Sequence, residues 1–168
     1  MEEWDLYSRE GYSLGKKIRR GETIPPDCFH KVVQIWIINE REEFLIQKRA
    51  NHLKWHPGKW ATTTGSVIAG EEDVILSASR EVHEELGLDN TKIDIEFEKE
   101  IIIGSSLVSI FKAFLPSFMM QQIELNDEVS QVKWMSAAKI EMLRKEDAFA
   151  SYSDETFDIV FRMKLNMN

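Results

Sequence analysis

The stretch from Thr64 to Leu88, TGSVIAGEEDVILSASREVHEELGL, decides how the rest of the chain is read. Its second half, from Glu72 to Leu86, has the period of an amphipathic helix. Val74, Ala78, Val82 and Leu86 recur on one stripe, and Gly87 follows where a C-cap glycine belongs. Glu81, Glu84 and Glu85 then share an arc of roughly 100° on that helix. Three carboxylates so close repel one another unless a cation sits among them. Oxygen donors of this kind suit Mg2+ or Mn2+. Glu85 projects at the edge of the apolar stripe, where an uncompensated charge is costly. Arg80 is placed to orient a neighbouring carboxylate through a forked pair of hydrogen bonds. The plain alternative is a solvated, charged helix face.

Gly65, Gly70, Glu71-Glu72, Arg80-Glu81-Val82, Glu84-Glu85 and Gly87-Leu88 together resemble the Nudix box, G-x5-E-x7-R-E-U-x-E-E-x-G-U with U aliphatic. The resemblance implies a mixed β-sheet sandwiched between α-helices, an α/β Nudix fold. It also implies a metal-dependent hydrolase that cleaves a diphosphate linkage in a nucleoside diphosphate derivative or similar small molecule. Carried over residue by residue, it implies Gly65, Glu81, Glu84 and Glu85 at the metal, with Arg80, Glu84 and Glu85 catalytic. The match has one extra residue. Counting from Gly65 gives Glu71 as the first glutamate of the box, and counting back from Arg80 gives Glu72. The insertion is placed near the junction of loop and helix, where extra length is tolerated.

Outward from the box, Cys28 to Asn39 reads as a strand and Glu43 to Arg49 as a second, joined by a turn into a hairpin. Asn51 to Lys59 is a loop, and Trp60 to Thr64 a short strand. Two more strands are expected around Ile93 to Ile103 and Leu107 to Leu115, then a mobile connection from Phe118 to Asp127. Val129 to Trp134 is a strand, Ser136 caps a helix running to about Arg144, and Tyr152 to Leu165 is a final helix. The expected organisation is one domain over 1–168: an extension at 1–27, a core at 28–144 and a C-terminal helix at 145–168. The runs Phe44 to Arg49, Trp55 to Trp60 and Asn126 to Trp134 are also similar to segments flanking the box in Nudix proteins.

Arg49 and Lys48 are the candidates to contact substrate phosphates, since arginine forks onto phosphate oxygens. Glu128, in a loop expected beside the metal, is the candidate general base or further ligand. His83 projects away from the glutamates. His30, His52, His56 and His83 have no zinc-like spacing.

Composition narrows the classes. The 168 residues, 43% of them hydrophobic, suffice for one core. No apolar run reaches the length of a membrane span, and the acidic N-terminus lacks a signal peptide's pattern. The one cysteine, Cys28, excludes an internal disulfide and points to a reducing, cytoplasmic setting. A net charge of -8 argues against stable nucleic-acid binding. It leaves an anionic small molecule open, because a bound cation and a few local cations reverse the field of a pocket. Nudix members often form homodimers, and oligomeric state stays open.

Two other function classes remain. Glu3 to Tyr7, Gly11, Gly15 and Arg19 to Glu22 resemble the leader of the Nudix subgroup that includes isopentenyl-diphosphate isomerase, and His30 lies where that isomerase has a histidine. The isomerase's Cys-Gly-His stretch is here Thr64-Gly65-Ser66, which ranks isomerisation below hydrolysis. A catalytically silent nucleotide-binding domain is the third class, and the intact glutamates speak against it.

Overall fold

The structure, a computed structural model, describes residues 1–163. Its framework is a seven-stranded mixed sheet. The strands of the core are β3 (His30–Ile38), β4 (Phe44–Arg49), β5 (Trp60–Ala61), β6 (Thr63–Ser66), β7 (Asp94–Ile103), β8 (Ser106–Phe114) and β9 (Val129–Met135). They are preceded by a separate hairpin of β1 (Glu3–Tyr7) and β2 (Ser13–Arg19). The helices are α1 (Val74–Leu86), α2 (Ala137–Lys145) and α3 (Asp154–Val160). The α/β sandwich expected from the sequence is what the chain forms.

β3 is buried at nearly every position from Val33 onward, so it needs cover on both faces. One face meets α1 through Val33, Ile35 and Ile37 against Ala78, Val82 and Leu86. The other packs Trp36 with Ile140 and Leu143 of α2 and Phe157 and Val160 of α3. The fully buried Trp36 ring contacts the rings of Phe44, Phe149, Tyr152 and Phe157. β3 and β8 run parallel in register from His30↔Ser106 to Ile38↔Phe114.

The expected hairpin of β3 and β4 is only partly formed. The two strands meet at Ile38↔Phe44 beside the turn and then part. β6 takes the side of β3, while β4 pairs with β5 and β9. Two buried threonines explain the split. The Thr62 hydroxyl donates to the Ile35 carbonyl, and the Thr63 hydroxyl donates to Gln47 Oε1 at 3.1 Å. The expected strand from Trp60 to Thr64 therefore breaks at Thr62 and switches partner there.

Helix ends follow local chemistry. Asp73, not Glu72, is the N-cap of α1, and its side chain accepts from the Ile75 N–H at 3.1 Å. Gly87 closes α1 in the left-handed region, at φ 69. A Cβ there would also press on Glu124, 2.9 Å from its Cβ. Ser136 caps α2 as expected. The final helix is shorter than its apolar pattern suggests. Ser153 caps it, Tyr152 stays outside, and Leu165 lies beyond the described residues. The Phe118 to Asp127 connection includes a 3-10 helix at Ser117–Gln122. It is tied down by Glu124 N–H to Leu86 O at 2.9 Å and Trp134 Nε1 to Ser117 O at 3.3 Å.

Residues 1–27 carry regular structure that the sequence did not announce. β1 and β2 pair antiparallel, Leu6 is buried, and Tyr7 packs with Phe29 and Leu107. Among the described residues, no helix is long and apolar enough to cross a membrane.

Candidate active site

Where β4 parts from the paired β3 and β6, a cavity of about 510 Å³ opens between the sheet, α1, the N-terminal hairpin and the segment before α3. Arg80, Glu81, Glu84 and Glu85 enter it from α1, Gly65 from β6, Arg49 from the end of β4, and Glu128 from the loop before β9. Seven of the eight residues singled out in the sequence thus share one cavity. Lys48 does not. Neighbouring residues on a strand point to opposite faces, and its Nζ lies 5.8 Å from the centroid of the Trp60 ring.

Arg80 is the organising group. Its Nε and Nη2 donate to the two oxygens of Glu71, both at 2.9 Å, in a forked pair. Nη2 also donates to Ser66 O at 3.1 Å, and Nη1 donates to Glu81 at 2.9 Å and Glu84 at 3.4 Å. Glu71 further accepts from the Ile68 N–H and the Ser77 hydroxyl, each at 2.9 Å. Burial works to raise the Glu71 carboxyl, but these hydrogen bonds outweigh it and hold it below the ordinary value. Glu72 is exposed on the other side of the cap. The arginine's partner among the two is thus Glu71, and the extra residue of the box is taken up between Glu71 and the Asp73 cap.

Glu71→Gln is accordingly expected to destabilise the fold by about 2 kcal/mol, by breaking a charged hydrogen-bond set. Glu72→Gln should stay within about 0.5 kcal/mol of the parent. Urea unfolding of both variants checks this, and equal losses would mean that the Arg80 fork adds nothing beyond a surface pair.

Glu81 and Glu85 are buried carboxyls, at 9% and 3% exposure. Burial raises Glu81 to about 7 despite Arg80. Burial, then repulsion from Glu81, raises Glu85 to about 8, and the carboxylate accepts a hydrogen bond from Gln47 Nε2 at 3.0 Å. The charge of Glu128 adds to the repulsion at both. The backbone of Gly65 lies directly against the Glu81 carboxylate, and a Cβ at Gly65 would overlap it. Among the described residues, no three carboxylate, imidazole or thiol groups already converge as a finished metal shell. The donor set nonetheless fits a hard divalent cation. It is all oxygen and anionic, and Arg80, which pairs with Glu81 and Glu84, is already shared with Glu71.

Glu128 is exposed and fixed through its backbone. Its N–H donates to Asn126 Oδ1 at 3.0 Å and its carbonyl accepts from the Ala50 N–H at 2.9 Å. Arg49 donates Nε to the Trp55 carbonyl at 2.6 Å, and its guanidinium lies 4.7 Å from the Trp55 ring centroid. Its terminal nitrogens remain available to an anion. His83 is exposed, on the far side of α1 from Glu81 and Glu85.

Sequence reasoning missed Gln47, which donates to Glu85, and several residues of the cavity. Gln47 was legible as a polar side chain in a buried strand, on the face of β4 that Leu45 turns toward α1. Glu2, Trp4, Arg20 and Tyr152 were not, because their place depends on the docked hairpin and on the turn before α3. The Tyr152 hydroxyl meets the Thr64 hydroxyl at 2.8 Å, and burial raises its pKa.

A mixed sheet between helices, with an arginine-organised cluster of glutamates on the helix after β6, defines a Nudix hydrolase. The chain belongs to that family, and the NUDIX domain matches residues 29–156. It is 33% identical over 163 residues to an uncharacterized Nudix hydrolase, lin0387, of Listeria innocua, with 90% of each chain covered. It is 34% identical to an isopentenyl-diphosphate Delta-isomerase of Pectobacterium atrosepticum, but over only 59 residues, 35% of this chain and 33% of that one. In fold it is similar to the crystal structure of DR0079 from Deinococcus radiodurans. The TM-score is 0.76 at 17% identity, covering 96% of this chain and 98% of that one.

Proposed function

We propose that this Nudix hydrolase cleaves the diphosphate linkage of a small organic diphosphate, a nucleoside diphosphate derivative or similar compound, with Mg2+ or Mn2+. The observation that carries the reading is the pair of buried carboxyls, Glu81 and Glu85, both raised by burial at the wall of a cavity that Arg49 also enters. Glu81, Glu84, Glu85 and the Gly65 backbone would hold the cation. Bound there, it would neutralise diphosphate charge and acidify a water.

The chain's own groups have separable tasks. Arg80 holds Glu81 and Glu84 in place while Glu71 fixes Arg80. Arg49, braced by Trp55, binds a phosphate oxygen. Glu128 accepts the proton of the attacking water. A general base contributes about 10²–10⁴-fold, so Glu128→Gln should lower kcat by that range and leave KM little changed. If Glu128 is instead a metal ligand, the variant will need more metal for half activity, which a metal titration reads. Parent kcat at every metal concentration and pH would remove Glu128 from the mechanism.

The test of the whole reading is a screen of nucleoside di- and triphosphates, nucleotide sugars, dinucleoside polyphosphates, NADH and CoA with either metal, following phosphate products. Isopentenyl diphosphate belongs in the same screen, because His30 does line the cavity. Isomerised product without phosphate release would favour the isomerase. His30 is engaged otherwise here, stacked on Trp4 at 4.3 Å between centroids and bonded to the Ser106 hydroxyl at 2.8 Å. Tight nucleotide binding with no turnover under any divalent metal would favour a silent binding domain. The reading places the enzyme in the cytoplasm as one domain.

A further inference from the structure

The N-terminal hairpin forms a wall of the cavity. Glu2, Trp4 and Arg20 line it together with Arg49 and the glutamates of α1. Directly opposite residues of an antiparallel pair project to one face. Trp4 opposes Ile18, and Arg20 follows one step beyond the Glu3↔Arg19 pair, so Glu2, Trp4, Ile18 and Arg20 share the cavity face.

The hairpin is fixed rather than trailing. Tyr7 and Phe29 exchange backbone hydrogen bonds at 2.8 and 2.9 Å, and Arg20 N–H donates to Glu2 O at 2.9 Å. The loop leading to Glu71 is tied to β1 as well. Ala69 N–H donates to Glu3 O at 2.8 Å and Gly70 N–H to Asp5 Oδ2 at 2.9 Å. The same short loop therefore links the hairpin to the residues that fix Arg80.

Arg20 is held loosely. Among the described residues its one ion-pair partner is Glu2, at 3.4 Å, and Glu2 already accepts from Trp4 Nε1 at 2.8 Å. Among the described residues Arg49 has spent only its Nε, on the Trp55 carbonyl. Arg49 and Arg20 line the same cavity; burial lowers the Arg49 pKa, and the charge of Arg20 acts in the same direction. Two arginines facing one space, with hydrogen-bond donors unspent, suit an anion with several oxygens. Beside them Trp4, Val32, Ile103 and Val108 bound a less polar compartment.

We propose that Arg20 is a specificity-determining residue. With Arg49 it grips the phosphate on the side away from the glutamates, and Trp4 covers the organic group esterified to that phosphate. This rests on the diphosphate reading above. Glu2 acts as a stand-in anion that the substrate displaces. The preferred substrate is then a diphosphate ester with a compact organic group, gripped by the hairpin at one end and by the glutamates at the other.

Glu2 supplies a test with opposite signs. Methylenebisphosphonate, a diphosphate that cannot be hydrolysed, is titrated by calorimetry with Mg2+ into the parent, Arg20→Ala, Arg20→Lys and Glu2→Gln. Loss of the arginine's charged hydrogen bonds should weaken Kd by about 10- to 100-fold. Lysine should recover part of that loss. Glu2→Gln keeps an oxygen for Trp4 but removes the competing charge, so it should bind more tightly than the parent. With a hydrolysed substrate from the screen, Arg20→Ala should raise KM by a similar factor and change kcat little. Parent-like affinity in Arg20→Ala would overturn the proposal. So would weakening in both Arg20→Ala and Glu2→Gln, since a merely structural ion pair suffers alike from either loss. If Arg20→Ala does not fold, the lysine and glutamine variants still decide. If nothing in the screen is hydrolysed, the hydrolase reading fails, and the bisphosphonate titrations decide Arg20 independently.

Discussion

Glu85→Gln is expected to lower kcat by roughly a thousandfold or more, about 4 kcal/mol of transition-state stabilisation. The substitution keeps size and an oxygen for Gln47, and removes only the charge. That charge is buried, at 3% exposure, and repelled by Glu81. In metal-free protein its removal relieves a penalty, so the variant should melt at a higher temperature than the parent while losing turnover. A damaged fold would lower both, so the pair of measurements separates a lost functional charge from a lost structure. His83→Gln is the companion. Its side chain is exposed on the other side of α1, and kcat should change by no more than about twofold. Comparable losses in the two variants would mean that the glutamate face of α1 is not the working face.

The box helix was legible because several independent signals agree there. The apolar stripe, the Gly87 cap and the glutamate spacing all follow from one helix of 3.6 residues per turn, and no distant residue is needed to complete the pattern. The phase of the preceding loop was not legible. Glu71 and Glu72 differ by one position, and only the forked hydrogen bonds from Arg80 distinguish them. The sheet shows the same limit. β3 and β4 look like a simple hairpin because each has strand character, but their separation depends on Thr62 and Thr63 bridging to Ile35 and Gln47.

The N-terminal hairpin is the largest feature that pattern reading could not supply. Every residue of β2 except the half-buried Ile18 is exposed, so no apolar alternation marks it as a strand. It is a strand because β1 pairs with it, and β1 is held through Tyr7 against Phe29 and Leu107, a cluster that exists only once β3 and β8 are in place. Lys48 is the converse case. Its charge beside Arg49 suggested a second phosphate contact, and the alternation of the strand turned it toward Trp60.

Withdrawing divalent cations is the other large effect. EDTA is expected to abolish hydrolysis, and excess Mg2+ or Mn2+ to restore it; undiminished turnover in EDTA would overturn the proposed function. The same carboxyls make a prediction that needs no substrate. Burial first, then repulsion, lifts Glu85 to about 8, and burial lifts Glu81 to about 7, both from an ordinary 4.5. A group whose folded value is raised stabilises the fold fully below its unfolded value, and that contribution is lost as pH rises through the folded value. Metal-free protein should therefore lose thermal stability as pH rises from about 4.5 to about 8, with an upper window above about 6.5. His30 acts with the opposite sign. Burial lowers it to about 4, so its contribution is lost as pH falls from its ordinary 6.5, which leaves the upper window to the glutamates. A cation that binds only the folded, ionised cluster should raise Tm more at pH 8 than at pH 6, because protons compete at the lower pH. Glu85→Gln should flatten both the pH slope and the metal response. A metal-free Tm that holds steady or rises across the upper window would show that Arg80 already neutralises the cluster. The glutamates would then be a structural network rather than a site built for a divalent ion.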